Sequence, residues 1–218
     1  MRRGEPARDE AAQAHAEEGG FMHVKCVEDR PQPVGVGAVD VPENRGLDRI
    51  DLRERTLGDV FKQLGYATGL VGKWHNGAIE DAYSPVNRGF DHWAGFRCGV
   101  QDYWKWHIEH GLRRQVAADG RYLTDALTDE SVDFIRANVR QPWMLGVMYN
   151  APHVPLQAPD EDIAPFRDKF NPSVAITYGM IRRMDTGIGR LVEALRATGQ
   201  ADNTIVLYST DNGPHFNT

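Results

Sequence analysis

Three times along the chain, the apolar periodicity of a helix is followed by a short, uncharged apolar run. Helices are predicted at about 56–64, 123–139 and 174–197, and strands at 66–72, 143–149 and 204–210. Uncharged runs are typical of strands buried on both faces, and short helix-to-strand connections favour parallel strands in one sheet. The sequence therefore predicts an α/β fold, a three-layer sandwich in which helices cover both faces of a largely parallel central sheet.

The predicted helices have recognisable ends and apolar sides. Thr56 is the expected N-cap of the first helix, with Asp59 three residues later, and Gly65 is expected to end it. Their apolar sides consist of Leu57, Val60, Phe61 and Leu64 in the first helix, Leu123, Leu127, Phe134 and Ile135 in the second, and Tyr178, Ile181, Ile188, Leu191 and Leu195 in the third. We expect these sides to be buried.

Two stretches lack the helix-then-strand pattern. Residues 1–45 are rich in charge, Pro and Gly, and we expect them to be poorly ordered or loosely packed. Residues 78–120 are predicted to form a long, Gly-rich loop that contains Trp93, Tyr103, Trp104 and Trp106. A loop of this length is more often functional than idle, and packing over a sheet edge is the alternative.

Composition excludes several classes of protein. A net charge of -6 and a pI near 5.7 argue against a nucleic-acid binder, which normally has a basic face. No apolar run approaches the ~18 residues of a membrane span, and residues 1–20 carry charge where a signal peptide needs an apolar stretch. As it stands, the chain is expected to be unexported and cytoplasmic, while the compartment of a parent protein and the oligomeric state stay open. The two cysteines, Cys26 and Cys98, are too few for a disulfide scaffold.

Each predicted strand is followed by polar residues. Lys73 and His75 follow the first strand, His153 follows the second, and Asp211 and Asn212 follow the third. Because parallel strands place their carboxyl ends at one edge of a sheet, we expect these five residues to line one crevice. Taken singly, each motif has an ordinary interpretation as a turn.

The chemistry of this set is that of an anion site beside a cation site. The Lys73 ammonium would neutralise a tetrahedral anion, and a histidine such as His153 could protonate a leaving oxygen near neutral pH. Asp211 and Asn212 offer hard oxygen ligands that suit Ca²⁺, or less readily Mg²⁺, better than Zn²⁺. The combination fits ester hydrolysis at sulfur or phosphorus and does not choose between them.

Five segments, in order, resemble landmarks of the sulfatases. They are GYATGLVGKWHNG at 65–77, NRGFDHWAGF at 87–96, GRYLTDALTDESVDFI at 120–135, YNAPHVPLQAP at 149–159 and YGMIRRMDTGIGRLVEALRATGQADNTIVLYSTDNGPH at 178–215. The chain is similar to the arylsulfatase branch of the alkaline phosphatase superfamily, whose fold is an α/β sandwich around a mixed, largely parallel sheet. The resemblance begins at about Leu47, so 46–218 is interpreted as a partial sulfatase catalytic domain.

The resemblance implies a role for each strand-end residue. Lys73 would contact the sulfate group, His75 would hydrogen-bond the nucleophile, and His153 would contact sulfate and the leaving oxygen. Asp211 and Asn212 would be calcium ligands. The substrate would be a small-molecule or saccharide sulfate ester. The family nucleophile is a formylglycine made from Cys or Ser in a Cys/Ser-x-Pro/Ala-x-Arg signature.

The chain departs from the family pattern in its first 45 residues. Cys26 and Arg30 have the spacing of the nucleophile signature, but Glu28 replaces its proline and Asp29 its usual serine. The paired acidic residues of the first family strand are not recognisable, and the second active-site lysine is missing. We therefore expect a fold that is incomplete at both ends, and a chain with little or no activity. A phosphoester or phosphonate hydrolase of the same superfamily and a truncated, non-catalytic copy are the alternatives.

Overall fold

The computed structural model describes residues 49–112 and 114–210. The helices are α1 (Leu57–Gln63), α2 (Leu123–Ala137), α3 (Asp160–Ile163) and α4 (Pro172–Ala197), and the strands are β1 (Ala67–Lys73), β2 (His92–Phe96), β3 (His107–His110), β4 (Arg114–Ala117) and β5 (Trp143–Met148). Single turns of 3-10 helix occur at Asp81–Tyr83, Pro85–Asn87 and Ala201–Asn203. The expected disorder of residues 1–45 lies outside the described residues.

The described strands form one mixed sheet in the order β4-β3-β2-β1-β5. β1 is parallel to both β2 and β5, while β2, β3 and β4 are joined by antiparallel pairings. The expectation of a loop at 78–120 was wrong, because this stretch contributes β2, β3 and β4. These strands have only four or five residues and are separated by turns. Such short strands give little periodicity to recognise in a Gly-rich sequence.

The predicted ends of α1 are confirmed, but its apolar side is not buried. The Asp59 amide donates to Thr56 Oγ1 over 3.1 Å, and the Thr56 amide donates to Asp59 Oδ2 over 2.9 Å, which is a capping box. Leu57 and Leu64, however, are 64% and 66% exposed. The buried residue of α1 is Gly58. The backbone of α1 packs there against the segment before β2, since a Cβ on Gly58 would lie 2.9 Å from a backbone carbon of Gly89.

Helix α2 packs on the sheet, and its predicted apolar side is confirmed as buried. Leu123, Leu127, Phe134 and Ile135 are all buried. Val71 of β1 packs in the same core cluster as Leu127. The ring of Phe134 is so close to Gly69 that a Cβ there would lie 2.7 Å from it. The centre of β1 is therefore built around this helix.

The predicted apolar side of α4 is confirmed near its C-terminal end, where Leu191 and Leu195 pack with Val132 and Ile135 of α2, and is wrong near its N-terminal end. Leu195 is buried, but Tyr178 and Ile181 are exposed. The buried positions of α4 are mostly small residues: Ala175, Gly179, Met180, Gly187, Ala194 and Leu195. Gly187 allows a close approach to α2, since a Cβ there would lie 2.6 Å from Thr128 Oγ1, while Gly179 lies against Ile163 of α3. Tyr178 instead packs against the rings of Phe166 and Phe170. The apolar period alone did not distinguish these two kinds of contact.

The third predicted strand was wrong in the part of the chain that the structure describes. Residues 204–210 have no helix or strand assignment, and no strand of the described sheet pairs with them. Ile205 and Leu207 are 88% and 90% exposed. Strand composition is not sufficient, since a strand forms only where a neighbour supplies ladder hydrogen bonds. Among the described helices, none is long and apolar enough to cross a membrane.

Candidate active site

The structure places two of the predicted motifs at the same edge of the sheet. In the parallel β1–β5 pair, Gly72 lies opposite Met148, so Lys73 and the segment after β5 leave the sheet side by side. Lys73 also lies opposite Phe96 in the β1–β2 pair, and its side chain is half-buried. This is the carboxyl end of adjacent parallel strands, where open α/β sheets bind ligands.

The backbone leaving β1 is closely packed around His75. A Cβ on Gly95 would lie 2.0 Å from the carbonyl oxygen of Gly72, so β2 must carry glycine there. His75 itself has φ 48, in the left-handed region that few residues other than glycine adopt. Gly99 lies against its ring, since a Cβ there would be 2.7 Å from His75 Cε1. These contacts hold the exposed imidazole in a defined place.

His153 lies in a turn that its own backbone stabilises. Its amide donates to the carbonyl oxygen of Asn150 over 2.7 Å, and its Nδ1 lies 2.9 Å from the carbonyl oxygen of Val154. In the tautomer in which Nδ1 carries the proton, this contact is a hydrogen bond and leaves Nε2 as the acceptor. Cis peptide bonds occur at Ala151-Pro152 and Val154-Pro155, on either side of His153. The side chain is exposed.

Two buried tyrosines hold the turn that carries His153. The Tyr103 hydroxyl donates to the His153 carbonyl oxygen over 3.0 Å, and the Tyr122 hydroxyl donates to the Gln157 carbonyl oxygen over 2.7 Å. The two rings stack with centroids 5.2 Å apart. Burial raises the pKa of both phenols above the ordinary value, so both stay protonated donors. In the sequence, Tyr103 is distinguishable only as one of several aromatic residues in 78–120.

The side chain of Gln157 connects the same turn to the aromatic segment. Its amide group accepts from the Tyr103 backbone over 2.9 Å and donates to Asp102 Oδ2 over 2.9 Å. Burial by itself would raise the pKa of Asp102, but hydrogen bonds from Gln157 and from the backbone amides of Lys105 and Trp104 hold it below its ordinary value. Asp102 is therefore ionised at neutral pH and fixes the segment in place.

Asn150 is a polar residue of this edge that sequence reasoning did not select. It is 4% exposed, and within the described residues neither its amide oxygen nor its amide nitrogen has a hydrogen-bond partner. Buried amides are normally satisfied, so an orphaned one at a ligand edge is a candidate contact for a bound group. Its position in the sequence could have indicated a site residue, because Asn150 comes directly after the apolar strand and three residues before His153.

The predicted cation site cannot be built from the described residues. Asp211 and Asn212 lie outside them, and the described chain contains no group of three or more His, Cys, Asp or Glu side chains placed to hold a metal ion. The pairing of a carboxylate with an amide oxygen suits a hard cation such as Ca²⁺ by its chemistry alone. Calcium binding thus stays a prediction from the sequence.

Comparison with known proteins identifies the family. The sulfatase family model matches residues 29–218, which is most of the chain. This chain is a member of the sulfatase family. The predicted resemblance is confirmed, and the α/β sandwich it implied agrees with the mixed sheet and its covering helices.

Several curated sulfatases are similar to this one. It is 34% identical over 193 residues to the uncharacterized sulfatase YdeN of Escherichia coli K12, covering 76% of this chain and 34% of the relative. It is 27% identical to the arylsulfatase of Klebsiella aerogenes, covering 76% of this chain and 48% of that enzyme, and 29% identical to human N-acetylgalactosamine-6-sulfatase, covering 73% and 33%. The chain therefore spans about a third to a half of these relatives.

Solved structures of sulfatases share the fold. The crystal structure of Ps i-CgsB superposes with a TM-score of 0.67 at 33% identity, covering 73% of this sulfatase chain and 40% of the other. The same protein in complex with k-i-k-neocarrahexaose gives a TM-score of 0.66 at 33% identity, covering 71% and 39%. The putative sulfatase yidJ of Bacteroides fragilis, at 23% identity and a TM-score of 0.60 over 71% and 43% of the two chains, supports the fold alone.

Proposed function

We propose that this chain carries the sulfate-binding part of a sulfuric ester hydrolase. The observation that carries the proposal is that Lys73 and the His153 turn leave adjacent parallel strands at the same sheet edge, in a member of the sulfatase family. A cation and an imidazole brought together there are suited to a tetrahedral anion and its leaving oxygen.

Each of the three residues has a distinct part in this proposal. The Lys73 ammonium neutralises charge on the sulfate oxygens, which favours binding and the more charged transition state. His153, in its protonated form, donates the Nε2 proton to the leaving alcohol oxygen while Nδ1 keeps its contact with the Val154 carbonyl oxygen, and an imidazole gains and loses this proton near neutral pH. His75 orients the nucleophile through a hydrogen bond, and its tightly packed surroundings keep its ring in one place.

The covalent part of the reaction needs groups outside the described residues. A formylglycine, where present, supplies a hydrated aldehyde as the nucleophile of the family. Cys26 has only part of the signature for this modification, so the nucleophile is not assigned to it. Asp211 and Asn212 are proposed calcium ligands on their chemistry alone. The described residues would bind the sulfate group, orient the nucleophile and protonate the leaving oxygen.

We propose a saccharide sulfate ester as the substrate class. Human N-acetylgalactosamine-6-sulfatase is named for a sulfated sugar, and Ps i-CgsB was solved with a neocarrahexaose. Those ligands belong to the relatives. These ligands support the proposal that a sugar ring carries the sulfate bound by this chain, because both relatives align with the segment that contains Lys73 and His153.

The test measures binding and turnover separately. Galactose 6-sulfate is titrated into the wild-type chain and into Lys73→Ala by calorimetry, and a chromogenic aryl sulfate is assayed with calcium. Lys169→Ala, the loss of an exposed lysine between α3 and α4, is the matched control. We expect Lys73→Ala to weaken sulfate-ester binding by about tenfold or more, the loss of one charge-assisted contact.

The outcomes distinguish the proposal from its alternatives. Turnover by this chain is expected to be small or absent, and robust turnover abolished by Lys73→Ala would place a nucleophile in the chain, with Cys26 the first residue to examine. Binding of galactose 6-sulfate that is the same in Lys73→Ala as in the wild type would refute the site. Tighter binding of galactose 6-phosphate, with turnover of an aryl phosphate, would favour the phosphoester alternative.

A further inference from the structure

A cavity of about 470 Å³ lies beside the His153 turn. Its walls include Trp104, Arg121, Tyr122, Asp125, Glu161 and Arg183. We propose that this cavity binds an uncharged sugar ring of the substrate, next to the ring whose sulfate lies at Lys73. The inference rests on the proposed function and adds a subsite to it. Its volume is within the usual 300–1,000 Å³ of small-molecule sites.

The topology puts the cavity at the active-site edge of the sheet. Helix α2 ends at Ala137 and leads into the start of β5, so its first residues lie at the other edge, where β1 and β5 end. Tyr122 precedes α2 and lines the cavity, and its hydroxyl donates to the carbonyl oxygen of Gln157, four residues after His153. One wall of the cavity is therefore bonded to the turn that carries His153.

The aromatic wall suits the apolar face of a sugar. Trp104 is 41% exposed although it is a large apolar side chain, and its ring meets the edge of Tyr122 with centroids 5.1 Å apart. Its backbone amide donates to Asp102 Oδ1 over 2.8 Å, so the turn that presents it is held in place. An exposed, fixed indole at a cavity wall offers flat apolar area at low entropic cost, which is the property that pyranose rings use when they stack.

The polar wall offers hydrogen bonds that the protein does not itself use. Among the described residues, the Asp125 carboxylate accepts no hydrogen bond, and its Oδ2 lies 3.7 Å from Arg183 Nη1. Arg183 is held by Asp162 and Glu161, each over 2.6 Å. Burial raises the pKa of Asp125 above its ordinary value. A sugar hydroxyl that donates to this carboxylate would supply the partner that it lacks.

The charge of the lining favours an uncharged ring over a second sulfate. Two arginines face three carboxylates, those of Asp125, Asp160 and Glu161. Both guanidiniums are already paired, Arg121 with Asp119 and Asp129, and Arg183 with the acidic residues named above. An anion would meet no uncompensated cation in the cavity and would be repelled by the excess of carboxylates. Hydroxyl groups, which both donate and accept, fit this lining.

The experiment compares ligands that reach one site or both. Galactose 6-sulfate, a sulfated galactan hexasaccharide and the same hexasaccharide without sulfate are titrated into the full chain by calorimetry. The variants are Trp104→Ala, Trp104→Phe, which keeps an aromatic face, and Tyr208→Ala, a matched loss of an exposed ring that does not line the cavity. Circular dichroism checks that each variant keeps its helices.

We expect the sulfated hexasaccharide to bind at least tenfold more tightly than the monosaccharide. Trp104→Ala should remove that advantage, while Trp104→Phe should restore part of it and Tyr208→Ala should leave it intact. The subsite is overturned if Trp104→Ala keeps the hexasaccharide advantage, or if no hexasaccharide binds more tightly than the monosaccharide. Binding of the desulfated hexasaccharide that depends on Trp104, with no binding of galactose 6-sulfate, would support the subsite and overturn the sulfate site.

Discussion

The hydroxyl of Tyr103 donates a hydrogen bond to the carbonyl oxygen of His153, fifty residues further along the chain. Tyr103 is completely buried, and its amide is bonded to Gln157 on the same turn. The exposed imidazole proposed as the proton donor is thus positioned by a buried residue from another part of the sequence. This relationship makes the His153 turn sensitive to changes that do not touch its side chain.

Replacing Tyr103 by Phe should loosen the His153 turn. The ring stack with Tyr122 is kept, but the carbonyl oxygen of His153 loses its donor, which we expect to lower the free energy of unfolding by about 1 kcal/mol. Affinity for galactose 6-sulfate should fall as well. Urea unfolding and calorimetry measure the two effects. Tyr66→Phe is the control, because its hydroxyl has no hydrogen bond among those of the described residues. Equal effects from the two substitutions would contradict the positioning role.

Replacing Gly72 by Ala should disrupt the sheet at the active-site edge. Gly72 has φ +114, and a Cβ there would lie 2.0 Å from the carbonyl oxygen of Met148 in β5. The strain of the left-handed conformation and the overpacking together predict a loss of about 2–5 kcal/mol in the free energy of unfolding.

Gly65→Ala separates these two causes. Gly65 also has a positive φ, of +82, but open space surrounds the position of its Cβ. Only the conformational cost of about 1–2 kcal/mol is expected there. Urea unfolding compares the two variants, and a smaller loss at Gly72 than at Gly65 would show that β1 and β5 do not approach as closely as described.

Lowering the pH below neutral should destabilise the protein through His92. Burial, with a contribution from the nearby charge of His110, lowers the pKa of His92 below 6.5, and its Nε2 is buried without a partner among the described residues. The unfolded chain therefore takes up this proton at a higher pH than the folded one, so stability is full above about pH 6.5 and falls as the pH decreases toward the folded pKa.

The variant His92→Phe isolates this contribution. It removes the titrating group and keeps a ring near Phe134, whose centroid is 5.4 Å from that of His92. Thermal unfolding between pH 7.5 and 5.5 should show a smaller decrease in the variant than in the wild type. Parallel decreases in the two proteins would assign the pH dependence to other groups, such as Glu130, whose pKa is raised by burial.

The exposed apolar segment at 204–210 should promote self-association. An uncharged run with strand composition and no ladder partner in the described sheet is a template for pairing with another chain. The double substitution Ile205→Lys and Leu207→Lys places charge on two of its most exposed positions and should decrease association. Sedimentation velocity across a concentration series measures the extent of self-association. Ile181→Lys, on the exposed side of α4, is the control, and an equal decrease there would point to a general effect of charge.

Local features of the chain were predictable because neighbouring residues determine them. The capping box of Thr56 and Asp59 depends on a spacing of three residues, and the buried side of α2 follows from helical periodicity. The uncharged run of β1 and the polar residues after it likewise indicated a buried strand ending at a ligand edge. The proposed roles of Lys73 and His153 depend on these local predictions.

Other features depended on partners that are distant in sequence. The strands β2 to β4 are too short to be recognised alone and form because each finds a neighbour in the sheet. Residues 204–210 show the reverse, since they have strand composition but no described strand beside them. Likewise, only the packing of α4 on both α2 and α3, at Gly187 and Gly179, decided that Tyr178 and Ile181 would be exposed.

By itself, the sequence determined the family, the order of helices and buried strands, and the kinds of side chain at the strand ends, because composition and short spacings carry that information. The tertiary structure decided which of those ends lie side by side and that Tyr103 and Tyr122 hold the His153 turn. It also decided that Asn150 and Asp125 have hydrogen-bonding capacity that no other described residue uses. Such contacts join residues tens of positions apart, and their energy depends on geometry that only the packed chain supplies.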